Sequence, residues 1–277
     1  MSNRSMASIR RDIVAEWPTT LAQCAGTPMA ECDLPAIPVL LGSSTKIEQG
    51  ESLDILSAVI YMAPGRSSGR EMCAFATAEC RKLCLGGNGA VGEGSGLLVT
   101  GSSKNSMLWK TALYFHNRGL FIELLTAEVR AHVSKAKRNG MVPAVRVDGT
   151  SDTGLGARMA WIVPDCQWFD YTKNYKRAAT ALAGKYGPNY TTVLSYTGEN
   201  EALCRDHLDN GGRVAVVIDR KKDDAKPRTI MGYPVANGDA HDAVWLHNPG
   251  HVVALGFKAA KDRDSKLDNA ESFVMAV

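Results

Sequence analysis

Three cysteines fall within twelve residues, in the segment Cys73-Ala-Phe-Ala-Thr-Ala-Glu-Cys80-Arg-Lys-Leu-Cys84, a C-x6-C-x3-C spacing. Thiolates grouped in this way suit a soft metal, because coordination lowers their pKa and fixes a loop that would otherwise be flexible. Zinc in a closed structural site takes four protein ligands. The next cysteine is Cys166 and the next histidine His116, neither of them close in sequence. Three cysteines alone suit a [4Fe-4S] cluster whose fourth iron is open or held by another kind of ligand. The expected cofactor is therefore a [4Fe-4S] cluster on Cys73, Cys80 and Cys84, with zinc as the alternative and buried or redox-active thiols as the plainest reading. Cys166, ahead of a strand, and Cys204, within a helix, read as packing residues, and Cys24 and Cys32 carry no assignment.

Polar residues gather at the ends of apolar runs. Arg146, Asp148, Ser151 and Asp152 close one such run, and Asp170 and Lys173 close another. Alternation along a strand puts Arg146 and Asp148 on one face, where they suit an internal ion pair. The functional reading is a substrate clamp or a general acid and base; the structural one is an ion pair with a helix cap from Ser151 or Asp152. Lys173 suits a substrate anion or a cluster sulfide. Gly86-Gly87-Asn88-Gly89 and Gly92-Glu93-Gly94-Ser95-Gly96 offer backbone N–H groups to an anion, yet match neither the dinucleotide fingerprint nor the P-loop. Asp239, His241 and Asp242 suit a metal or proton-transfer group, but they precede a weak strand, which places them at the opposite end of the fold and favours a satisfied turn. His247 and His251 flank the turn Asn248-Pro249-Gly250. The basic run Arg220-Lys221-Lys222, with Lys226 and Arg228, reads as a solvated loop sooner than a phosphate contact.

Five strings in order resemble the bacteriophage gene product 88-like family: Tyr61-Met-Ala-Pro64, the cysteine segment through Leu85, Pro143 to Asp152, Phe169-Asp-Tyr-Thr-Lys-Asn174 and Gly238-Asp-Ala-His-Asp242. The resemblance spans about Leu40 to Val277 and implies a phage origin and a shared site more than a reaction. After Ser151-Asp152 the family often has a Trp-Glu pair, where this chain has Thr153-Gly154-Leu155-Gly156. The family is also similar, more distantly, to phage proteins related to radical-SAM barrels, an analogy of fold that does not establish radical chemistry.

The elements that must position these residues follow from periodicity. Residues 1–50, with four prolines and no sustained period, read as an N-terminal arm or cap; residues 51–277 read as a single α/β domain. Helical spacing runs from Lys104 to Arg138, in two helices. Strands are expected near 57–64, 142–147, 167–172, 191–196, 213–218 and 251–257, with a weaker one at 243–246. Apolar runs alternating with helices imply parallel pairing. Charged and polar side chains at several strand ends favour a TIM-like (β/α) barrel, partial or irregular, whose long Cys- and Gly-rich loop follows the first strand.

Composition sets the outer limits. The chain has 277 residues, 45% hydrophobic and 22% charged, with a formal charge of +3. That excludes a disordered or disulfide-scaffold class and gives no strong pull toward polyanions. No apolar run reaches the length of a membrane span, and no apolar segment follows the N-terminal arginines as in a signal peptide. The combined expectation is a phage-encoded iron-sulfur protein of the host cytoplasm, oxygen-sensitive, acting by redox or Lewis-acid chemistry on a small polar or anionic ligand at the open iron. Whether it is an enzyme is open; a radical-SAM-like or cluster Lewis-acid activity is the form it would take. Its catalytic candidates are Arg146, Asp148, Asp152, Asp170 and Lys173. The alternative is a non-enzymatic binding protein, braced by zinc or a cluster, that contacts nucleic acid or a host protein.

Overall fold

Burial of the apolar runs on both faces sets the architecture. A computed structural model describes residues 4–44, 48–85, 101–258 and 273–277. Its nine strands are β1 (Ile55–Val59), β2 (Val142–Arg146), β3 (Gln167–Thr172), β4 (Tyr190–Ser195), β5 (Val214–Ile218), β6 (Thr229–Ile230), β7 (Tyr233–Asn237), β8 (Val252–Gly256) and β9 (Val274–Met275). Seven α-helices accompany them among the described residues: α1 (Met6–Ala22), α2 (Ala78–Lys82), α3 (Gly101–His116), α4 (Arg118–Arg138), α5 (Leu155–Ile162), α6 (Tyr175–Leu182) and α7 (Glu201–Asp209). The chain is thus mixed α/β.

The strand order is β1-β2-β3-β4-β5-β8-β7-β6. Every pairing is parallel except that of β6 with β7. β8 runs along one edge of β5; β4 pairs with Val214 and Ala215 on the other, and β9 takes over that edge at Val217 and Ile218. Consecutive parallel strands joined by right-handed crossovers put their helices on one face. Accordingly α4 packs on β2, α5 on β3, α6 on β4 and α7 on β5. On β3, Trp168 joins the helix-side core while Phe169 joins Ile55, Val59, Ala144, Val193, Ala215 and Val253 on the opposite face. The connection from β7 to β8 covers that second face, with Val244 in its core and the Trp245 ring 5.2 Å from Phe169.

The sheet is not closed, so a barrel is not confirmed. Its ends are β1, which carries one isolated bridge from Val59 to Gly42, and the β6–β7 hairpin. After β5 the chain forms that hairpin where a barrel would add a further strand-helix unit. The strand expected at 243–246 is a short 3-10 turn, Val244–Leu246, and the strand beside β8 is β7. The N-terminal region holds a helix that its sequence pattern hides, because Pro18 lies inside α1 and only Ile9, Ile13 and Thr20 turn fully inward. Ile9, Ile13, Cys24, Met29, Cys32 and Leu40 share the core of Trp109 and Phe121. No described helix is long and apolar enough to cross a membrane.

Close approach of backbone to backbone fixes the end of β8. A Cβ at Gly256 would lie 2.7 Å from the Lys221 carbonyl carbon, 2.8 Å from the Lys222 nitrogen and 2.9 Å from the Arg220 oxygen. Backbone cannot swing aside as a flexible side chain can, so Gly256→Ala is expected to cost about 1–3 kcal/mol and to lower the melting temperature by several degrees. Calorimetry measures this; an unchanged melting temperature would show that the 220–222 segment yields freely.

Candidate functional site

The cysteine segment is held by a carboxylate at its start. Glu71 accepts the Cys73 amide at 2.8 Å, Arg66 at 2.9 Å and Arg81 at 3.1 Å, and Arg81 also donates to the Cys73 carbonyl. Burial acts to raise the Glu71 pKa, but these donors outweigh it and hold the carboxyl below its usual range. Thr77 caps the short helix α2 by accepting the Cys80 amide. The Asp152 amide donates to Met72 at 2.9 Å, fastening the segment to the loop after β2. The Cys73 sulfur accepts from the Gly65 amide at 3.4 Å. Burial pushes the Cys73 thiol up to about 12, opposed by that amide and by Lys173. A thiol so raised is protonated at neutral pH and is a poor nucleophile by itself. No disulfide joins any of the seven cysteines, and Cys24, Cys32, Cys166 and Cys204 are buried.

Asp152 organises the next layer. Its carboxylate pairs with Arg177 at the start of α6 and accepts the Lys173 amide at 2.9 Å. Asn174 caps the same helix through the Arg177 amide. Burial pulls the Lys173 ammonium down, yet Cys80, Asp152, Cys73 and Cys84, all within electrostatic reach, more than offset this and raise it. Lys173 and Asp152 therefore stand with the three cysteines. Among the described residues no three His, Cys, Asp or Glu side chains are already arranged as a metal-ligand group. The Gly86–Gly89 and Gly92–Gly96 stretches lie outside the described residues.

The other candidates divide between the two faces of the sheet. Arg146 and Asp148 do not pair. Arg146 lies on the face away from the helices, donates to Asp242 at 3.0 Å and sits over the Tyr171 ring at 4.7 Å. Asp148 follows the strand and accepts from Ser151 at 2.7 Å, Thr153 at 2.8 Å and the Gly154 amide at 2.9 Å, closing the turn into α5. Asp242 is not at the opposite end of the fold, as its sequence position suggested: β7 is parallel to β8, so residues 238–242 follow the C-terminal end of β7. There Asp239 binds Lys226 at 3.1 Å and Lys258 at 3.0 Å, so Lys226 is an interior ion-pair partner and not part of a solvated loop. Asp170 lies under α5 and α6 and accepts from Tyr190 at 2.8 Å. Arg177 and Tyr190 carry no motif in the sequence. Gly154 and Gly156 are the traces that could have pointed to them, because a Cβ at either would strike Arg177 or Tyr190 within 3 Å.

One group here titrates in an unusual range. Burial pushes Asp170 up to about 6, and Asp148 adds to the effect, while Arg177 opposes it. Its second oxygen is buried without a hydrogen-bond partner. A carboxyl raised above the unfolded value of about 4 adds stability that is complete below that pH and lost as pH rises through the folded value. Asp170→Asn should therefore gain stability relative to the parent as pH rises from about 4 to above about 6, by on the order of 3 kcal/mol. Urea midpoints across that range measure it; a difference that does not change with pH would overturn the assignment.

The geometry can now be set beside known proteins. No curated protein and no solved structure matches the chain. The Gene product 88 family matches residues 39–270, which takes in β1 through β8, all three clustered cysteines and both ion-paired loops. The chain belongs to the Gene product 88 family of phage proteins.

Proposed function

We propose that Cys73, Cys80 and Cys84 bind a [4Fe-4S] cluster and that the protein acts on a small polar or anionic ligand beside it. One arrangement carries the reading: Lys173 lies within electrostatic reach of Cys80, Asp152, Cys73 and Cys84, whose thiolates, once formed, favour its ammonium. Lys173 is only partly withdrawn from water, and negative charge close by stabilises its ammonium. Asp152 is already paired with Arg177. Neutral thiols add nothing to that stabilisation, whereas metal-bound thiolates supply it.

When bound, such a cluster supplies an electron or a Lewis-acidic iron. The chain's own part is then distinct. Lys173 neutralises an anionic ligand, Asp152 fixes Lys173 through its amide, and Arg177 holds the Asp152 carboxylate in place. Asp148 shapes the turn, Asp170 lies beneath the helices, and Arg146 serves on the other face with Tyr171 and Asp242. The same reading takes the sheet as a partial (β/α) barrel, supported by the chain-order pairing of β1 to β5 and the shared core on the face away from the helices. It also keeps the expectation of a phage protein working in the host cytoplasm.

A second reading has one observation in its favour. Glu79, next to Cys80, has a buried carboxylate oxygen with no hydrogen-bond partner. Three thiolates and that carboxylate would make a four-ligand zinc site, bracing the loop of a non-enzymatic binding protein.

Anaerobic purification decides between them. A brown protein with iron and sulfide in equal amounts, and visible absorption bleached by dithionite, is the result expected of the cluster. A colourless protein with one zinc would favour the second reading, with Glu79→Gln then lowering zinc affinity. In either case Cys73→Ala, Cys80→Ala and Cys84→Ala should each lose the metal while Cys166→Ala and Cys204→Ala keep it. Retention in the first three would remove the ligand assignment.

A further inference from the structure

The outer surface of α5 carries a feature that the cysteine site does not use. Two clefts flank this helix, one of about 460 Å³ toward α1 and α4 and one of about 540 Å³ toward α6. Arg158 lines both. Arg130 stands in the first cleft and Lys176 in the second, beside Trp161, which is 68% exposed. None of these three cations forms an ion pair with a described carboxylate. The acidic residue of the first cleft, Glu123, is already bound by Arg4.

We propose that this surface binds single-stranded nucleic acid, with a base stacked on Trp161 and the backbone phosphates following Lys176, Arg158 and Arg130. Exposed aromatic rings beside cations that lack partners are what a strand needs, since every base offers a flat face and every phosphate a charge. The spacing argues for a strand over a single nucleotide: cations lie on both sides of α5, and Arg158 joins the two clefts. The proposal is independent of any metal on the cysteines.

The test is fluorescence anisotropy of a labelled oligothymidylate longer than about 16 nucleotides, titrated with the full chain at low and rising salt. Saturable binding that weakens with salt is expected, with Arg158→Glu, Lys176→Glu and Trp161→Ala each weakening it by about tenfold or more. The three side chains are exposed, so the melting temperature of each variant should match the parent. Lys222→Glu, on the exposed basic loop after β5, should leave binding unchanged. Absence of binding at low salt, equal affinity for duplex DNA, equal competition by a mononucleotide or by polyglutamate, or a loss in Lys222→Glu as large as in Arg158→Glu would each overturn the proposal.

Discussion

The carboxylate of Asp152 is the interaction on which the candidate site depends. It joins three pieces of chain that are far apart in sequence: its own amide holds Met72 ahead of the cysteines, one oxygen takes the Lys173 amide at the end of β3, and the other pairs with Arg177 on α6. Both Asp152 and Arg177 are almost wholly withdrawn from water. A pair of this kind adds little net stability, because desolvation offsets much of the attraction, but removing either partner strands a buried charge at a cost of about 3–5 kcal/mol. Its value lies in geometry. With Asp152 fixed, the loop after β2, the end of β3 and the cysteine segment have one relative arrangement.

Period two explains why the polar candidates do not make a single constellation. A strand turns alternate residues to opposite faces. On β3 this sends Asp170 toward the helices with Trp168, and Tyr171 away from them with Phe169. Arg146 shares the face of Ala144 and meets Tyr171; Asp148, two residues on, would share that face had β2 not ended at Arg146. Residues beyond the last paired position escape the rule, and these are Asp148, Asp152 and Lys173. Side chains at a strand end can converge only after the strand has stopped dictating their direction.

Much of this could be read from the residues. The strands β2 to β5 and β8, their parallel pairing and the pair of helices α3 and α4 follow from apolar runs and helical spacing, because burial on both faces leaves a plain trace. What could not be read has a physical reason in each case. β6 and β9 have two residues each, and β7 is half exposed and contains Pro234, so neither apolar content nor period marks them. Missing β7 reversed the apparent end at which Asp239 and Asp242 lie. Arg177 looks like any helix cation until the neighbouring turn is folded against it. The grouping of Cys73, Cys80 and Cys84 is visible in spacing alone, but thiol spacing sets possible donors and not whether or which ion they take.

Charge balance gives the two proposed sites different physical standing. Along the C-terminal ends of the strands, cations meet carboxylates directly: Arg146 meets Asp242, Arg177 meets Asp152, and Lys226 and Lys258 share Asp239. Lys173 differs, since its neighbours include three thiols that carry no charge until they lose protons. It is partly buried, so its fixed neighbours act on it with less screening than at a surface cation. Arg130, Arg158 and Lys176 are exposed, and water and salt screen them at small cost. Their charge gains force only when a polyanion displaces the surrounding ions. A partly buried cation is therefore tied to its fixed neighbours, and an exposed one to what the surface meets.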